Sequence, residues 1–174
     1  MSWRKWVTVA ALVVLVGGIV GVLRVQPGEA AVGDTHEMTI PAAAFIPTND
    51  NWDYSSSGYK LSAVGSGSAN FTAPLIFPVD LDHVRINRLT FWAYDNGTGS
   101  VCVYLYRAQP RTGDKIEMAQ KCSDGSSATN PRRFGTVNIS PRTATASKVP
   151  YLWLSVPGGS DYVFYGVTIQ WKEI

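Results

Sequence analysis

The residues with the widest chemical range are two cysteines, Cys102 and Cys122, and two histidines, His36 and His83. A reactive thiolate or a thiolate metal ligand needs a histidine, a cation or a helix N-terminus close by. Neither histidine lies near either cysteine in sequence. In an oxidising compartment, two cysteines in a chain of this size pair with each other. A hairpin turning through Pro110–Asp114 would set Cys102 opposite Cys122, Leu105 opposite Ala119, and Arg107 opposite Glu117. One register thus supplies a disulfide, an apolar pair and an ion pair. A structural Cys102–Cys122 disulfide is the expectation.

Other chemistry leaves less trace. The chain holds no G-x-S-x-G elbow, no phosphate loop and no H-E-x-x-H helix, and Gly65-Ser-Gly-Ser reads as a turn. A glycosidase needs two carboxylates across one sugar. Beyond the N-terminal segment the glutamates are Glu37, Glu117 and Glu173, and no spacing among the aspartates singles out a pair. The sequence leaves catalysis open and favours a non-enzymatic role with no catalytic residues. Asn49, Asp50, Asn51 and Asp53 carry oxygens of the kind calcium takes. Such residues far more commonly cap turns; Asn49, Asp50 and Asp53 are the metal candidates, and calcium is the only cofactor they suggest. Asp80 and Asp82 read the same way.

Aromatic residues say more. From residue 32 onward the chain has four tryptophans, eight tyrosines and six phenylalanines. Trp92 and Tyr94 share one face of a strand, and Tyr104 and Tyr106 share one face of the next. Leu89, Phe91, Val103 and Leu105 take the opposite faces. If those strands pair, one sheet is apolar on one side and aromatic on the other. The aromatic side is then covered by the same chain, forms a subunit interface, or serves as a sugar-stacking platform. Trp153 and Trp171 sit among aliphatic neighbours and read as core.

The elements that would position these residues are strands. Apolar residues recur at period two over Ile86–Tyr94, Val101–Arg107, Lys115–Cys122, Tyr151–Val156 and Tyr162–Trp171. Weaker cases are Met38–Ile40, Tyr59–Val64, Asn70–Phe77 and Thr136–Ile139. Gly-, Pro- and Asn-rich turns separate them, and Pro47–Gly67 is the most loop-like stretch. Many short strands without an amphipathic helix predict an all-β antiparallel β-sandwich of jelly-roll or Greek-key type.

Ahead of it, residues 1–31 have the order of an export signal: Arg4 and Lys5, an uncharged apolar run over Val7–Leu23, then small residues Gly28 and Ala30 before a cut. The alternative is an uncleaved apolar helix that anchors the protein through residues 7–23. Both predict a single domain, 32–174, outside the cytoplasm, secreted or held at the outer face of the membrane. Setting aside Arg4, Lys5, Arg24 and Glu29 leaves 12 basic and 12 acidic residues in that domain. A neutral domain lacks the footprint that nucleic acid demands.

The stretch Leu81–Arg107 (LDHVRINRLTFWAYDNGTGSVCVYLYR) resembles a recurrent, uncharacterised domain of exported bacterial proteins. In that group an aromatic strand ending in Asp-Asn and a Gly/Ser turn precede a V-Y-L-Y-R-like strand. Tyr162–Trp171 and the early Ile40-Pro-Ala-Ala-Ala-Phe-Ile-Pro segment fit the same pattern. The resemblance implies a jelly-roll sandwich without an assigned activity, and it supplies no site residues; the cysteine pair is not a mark of the group. The function expected from the sequence is a secreted or surface-associated binding or assembly module. Its alternatives are a carbohydrate-binding or carbohydrate-active module, with the Asn49–Asp53 and Asp95–Gly99 loops lining a cleft, and a structural subunit of an extracellular assembly. A glycan, a protein or a second copy of the chain is the partner to test.

Overall fold

The structure, a computed structural model, describes residues 34–124 and 129–174. The export-signal and anchor readings, including the apolar helix, the cut after Ala30 and the span over 7–23, lie outside the described residues. No helix among the described residues is long and apolar enough to cross a membrane.

Period-two alternation yields eleven strands: β1 (Thr35–Pro41), β2 (Ile46–Pro47), β3 (Tyr54–Ser56), β4 (Leu61–Ala63), β5 (Ala69–Pro74), β6 (Val84–Asp95), β7 (Cys102–Ala108), β8 (Lys115–Cys122), β9 (Arg132–Thr136), β10 (Val149–Val156) and β11 (Tyr162–Glu173). Two single-turn 3-10 segments, Ala42–Ala44 and Leu81–His83, are the helical pieces of the described residues. All strand pairs are antiparallel. One sheet runs β3-β4-β11-β6-β9, with β1 beside β4 on the same edge of β11; the other runs β2-β5-β10-β7-β8. Consecutive strands change sheets at every step except the hairpins β3–β4 and β7–β8. That winding makes an antiparallel two-sheet sandwich and fits a jelly-roll-like fold.

Inward-facing residues of both sheets make one core. Phe71, Phe91, Phe164, Leu61, Leu89, Leu105, Leu152 and Leu154 are fully buried. In β10 the alternation is perfect, half-buried outward and buried inward from Val149 to Val156. Trp171 is buried as expected, packed edge-on to Phe77 at 5.3 Å.

Three expectations need correction. The loop-like Pro47–Gly67 segment holds the β3–β4 hairpin, where Tyr54 faces Ala63 and Ser56 faces Leu61. Its Ser- and Gly-rich sequence hides β3, which buries no residue, whereas β4 falls within the expected Tyr59–Val64 strand and supplies the buried anchors Leu61 and Ala63. The Thr136–Ile139 strand lies earlier, at Arg132–Thr136, because Phe134 supplies the inward contact by stacking on Phe91 at 5.3 Å. Finally, Arg107 does not face Glu117. The hairpin does set Cys102 opposite Cys122 and Leu105 opposite Ala119, but a bulge at Met118 then places Glu117 opposite Tyr106 and Ile116 opposite Arg107. Met118 and Ala119 are both buried, so the bulge turns two successive side chains into the core. The Arg107 guanidinium instead donates from Nη1 to the Thr143 carbonyl at 3.4 Å.

Candidate functional site

On the outward face of the five-stranded sheet, adjacent strands β7 and β10 bring four aromatic side chains together. Tyr106 pairs in register with Tyr151, and Tyr104 with Trp153. Inward neighbours Val103, Leu105, Leu152 and Leu154 are fully buried, so the pleat forces these four outward. The Tyr104 and Tyr106 rings lie 5.9 Å apart at 12°, and those of Tyr106 and Tyr151 lie 5.6 Å apart at 25°. Each of the four is half-buried. Trp153 therefore belongs to this face and not to the core. Its aliphatic neighbours in sequence are the inward residues of its own strand.

Polar groups frame the row. Gln120 Nε2 donates to the Tyr104 hydroxyl at 3.2 Å, and the Tyr106 hydroxyl donates to Glu117 Oε2 at 3.4 Å. The Lys115 ammonium sits 5.3 Å from the Tyr106 ring centre and 5.5 Å from that of Trp153, cation–π contacts at an exposed site. Burial, and then the neighbouring Glu117 carboxylate, raises the Tyr106 phenol above the ordinary tyrosine value, and burial alone raises Tyr151. Both folded values exceed the unfolded one, so the protonated hydroxyls favour the fold up to the ordinary tyrosine range, and that contribution fades as pH climbs through the raised values. At neutral pH Tyr106 and Tyr151 therefore present neutral hydroxyls.

The Cys102–Cys122 disulfide closes one end of this face. It joins directly paired residues with Cα atoms 4.0 Å apart. Both sulfur-bearing residues are half-buried.

Trp92 and Tyr94 do not join Tyr104 and Tyr106. Strand β6 pairs with β9 and β11, whereas β7 pairs with β8 and β10. The two aromatic pairs thus stand on opposite outer surfaces of the sandwich. The segment Asn96–Val101 crosses from one sheet to the other and does not close a hairpin. Asp95, 2% exposed, anchors that crossing: it accepts from Gly97 N at 3.3 Å and from the Ser123 hydroxyl, while Ser123 Oγ accepts from Val101 N at 2.8 Å. The Asp95 carboxylate is occupied inside the protein. Gly99 N donates to the Tyr162 hydroxyl at 2.7 Å, and a Cβ on Gly97 would fall on the Tyr162 phenol. Gly97→Ala should destabilise the fold by about 1–3 kcal/mol, read as a lower urea midpoint; an unchanged midpoint would show that Tyr162 relocates freely.

The acidic loop is built of turns. Asn49 Oδ1 accepts from Asn51 N at 3.0 Å, and Trp52 N donates to the Asn49 carbonyl at 3.3 Å. Asp50 and Asp53 are exposed. Asp80 caps the Leu81–His83 turn through Asp82 N. Among the described residues no group of three or more His, Cys, Asp or Glu is placed to hold a metal ion. His36 lays its ring on Trp171 at 4.5 Å, a packing role.

No protein-family model matches the sequence, and no curated protein matches it. Solved structures do match. The C-terminal family 6 carbohydrate-binding module of a marine laminarinase from Zobellia galactanivorans superposes with a TM-score of 0.52 at 12% identity, covering 77% of this chain and 98% of that one. A low-affinity xylan-binding module from Roseburia intestinalis gives 0.47 at 12% identity, covering 80% and 96%. At such identity the first likeness establishes a shared fold, an antiparallel two-sheet β-sandwich.

Proposed function

We propose that this chain is a non-catalytic glycan-binding module that works outside the cytoplasm and takes a saccharide along the Tyr104–Tyr106–Tyr151–Trp153 row. The observation that carries the reading is the convergence of four half-exposed aromatic side chains on one sheet face, edged by Gln120, Glu117 and Lys115. Sugars present C–H faces that pack on aromatic surfaces and hydroxyls that need a few fixed polar partners. The laminarinase module with the same fold supports the reading through its own description as carbohydrate-binding. In this proposal residues 1–31 direct export or anchor the chain, and 32–174 form the module. The disulfide fits an oxidising destination.

Isothermal titration of the full chain against β-glucan and xylan oligosaccharides tests the proposal. Loss of one stacking ring removes about 1–1.5 kcal/mol, so Trp153→Ala should bind roughly tenfold more weakly, and Trp92→Ala, on the other surface, should bind a neutral oligosaccharide as the wild type does. Equal binding by wild type and Trp153→Ala, or none across a broad glycan array, would remove the proposal.

A second reading has its own observation. Ile46 and Ile116, 62% and 39% exposed, lie on the two edge strands of this sheet, and an apolar side chain on an unpaired strand edge favours edge-to-edge assembly with a second copy. Light scattering separates the two: a concentration-dependent dimer that Ile46→Lys abolishes supports assembly, and a strict monomer removes it.

A further inference from the structure

The outer surface of the six-stranded sheet carries a feature that the saccharide row does not use. Between β6 and β9 lies a depression of about 310 Å³ lined by Arg88, Thr90, Arg133, Gly135, Thr136 and Val137. Register explains it. Thr90 faces Gly135, and without a side chain there the surface sinks between its neighbours. A Cβ on Gly135 would come within 3.1 Å of Thr90 Oγ1 and of the Leu89 carbonyl. One row along, Trp92 faces Arg133, whose guanidinium lies 5.8 Å from the indole ring centre. Arg88 stands on the other side of Thr90, on the same face by the pleat. The depression is therefore lined by two arginine side chains, one of which, Arg133, reaches over the neighbouring Trp92 indole, itself 37% exposed.

Charge makes the place unusual in a domain with equal numbers of acids and bases. Among the described residues neither Arg88 nor Arg133 has a carboxylate within ion-pair distance. In the cross-strand row of Arg88 the first acid is Glu37, two strands away and so about 10 Å across the sheet. It is engaged by Gln170 Nε2 at 3.5 Å. Two forked cations beside a hydroxyl and an aromatic ring suit an oxyanion carried on an apolar ring face.

We infer that this depression binds the carboxylate or sulfate of an acidic sugar, with Arg88 and Arg133 clamping the anion, Thr90 lying at its floor, and Trp92 meeting the pyranose. The inference rests on the glycan-binding reading for its ligand class but uses a different surface and different residues. It makes the protein two-faced, with a row for uncharged saccharide on one sheet and a clamp for charged saccharide on the other.

The test titrates the full chain with trigalacturonate, with a neutral trisaccharide that the saccharide row binds, and with inorganic sulfate. Wild type should bind trigalacturonate, more weakly as salt rises. The double variant Arg88→Gln/Arg133→Gln should lose at least tenfold in that affinity while keeping its binding of the neutral trisaccharide. Trp153→Ala should do the reverse. Both arginines are exposed, so the double variant should keep the wild-type thermal midpoint. Absence of trigalacturonate binding, or undiminished binding by the double variant, overturns the inference. Sulfate binding as tightly as trigalacturonate, with Trp92→Ala without effect, also overturns it by showing a site for small anions only. Loss of the saccharide row alone would appear as neutral binding insensitive to Trp153→Ala with the arginine effect intact.

Discussion

Phe164→Ala is expected to destabilise the protein by about 3–5 kcal/mol, the range for emptying a fully buried aromatic site. Phe164 lies in β11, level with Leu61 of β4 on one side and Ala93 of β6 on the other. Its ring meets Phe45 edge-on at 5.0 Å. Leu61 and Ala93 cannot move to fill the space without breaking their own strand pairs, so the cavity persists. Since whole domains are stable by only about 5–15 kcal/mol, the variant should show a large fall in urea midpoint, with an unfolded fraction on warming. Phe164→Leu, which keeps most of the volume, should cost less than half as much. A loss below about 1 kcal/mol for the alanine variant would mean that the sheets close around the gap.

The second large effect is expected from removing the disulfide. Cys102 and Cys122 are 20 residues apart in sequence, and closing a loop of that size stabilises the folded state by about 3 kcal/mol in the chain-entropy model. Both cysteines lie on the outward face and are half-buried, so Cys102→Ala/Cys122→Ala loses little packing and the effect lies mainly in the unfolded chain. The double variant and the wild type in reducing agent should then show the same lowered melting midpoint. A variant much less stable than the reduced wild type would point to lost packing instead, and no shift in either would remove the entropic account.

What the sequence revealed follows from what alternation encodes. A period of two tells which side of a strand is buried, and it located β6, β7, β8, β10 and β11 to within a few residues. It carries no information about which of two stacked sheets a strand joins, because both sheets bury their inner sides against the same core. Trp92 and Tyr104 consequently looked like neighbours on one surface, although a crossing lies between them. Asp95 holds that crossing from within, bonded to Ser123 and Gly97, but in the sequence Asp-Asn-Gly reads as an ordinary turn. Trp153 reads as core in the sequence for a related reason, since its aliphatic neighbours in the chain point the opposite way. Nothing in the sequence marks Tyr151 as a site residue, because its partners, Tyr106 and β7, are distant in the chain. The Met118 bulge had a visible trace, two adjacent apolar residues, Met118 and Ala119, in an otherwise alternating strand. The clamp over Gly135 had none, because it depends on which strand β9 chooses as its partner.

Strand β11, the latest in chain order, sits in the interior of its sheet, with β6 along one side and β1 and β4 end to end along the other. Until residues 162–173 arrive, β6 and β1 have no ladder to join them, and each keeps an open hydrogen-bonding edge. A chain emerging progressively from a ribosome must therefore hold unsealed strands until residues 162–173 are free, and such edges invite wrong partners. Closure of the roll waits on its keystone.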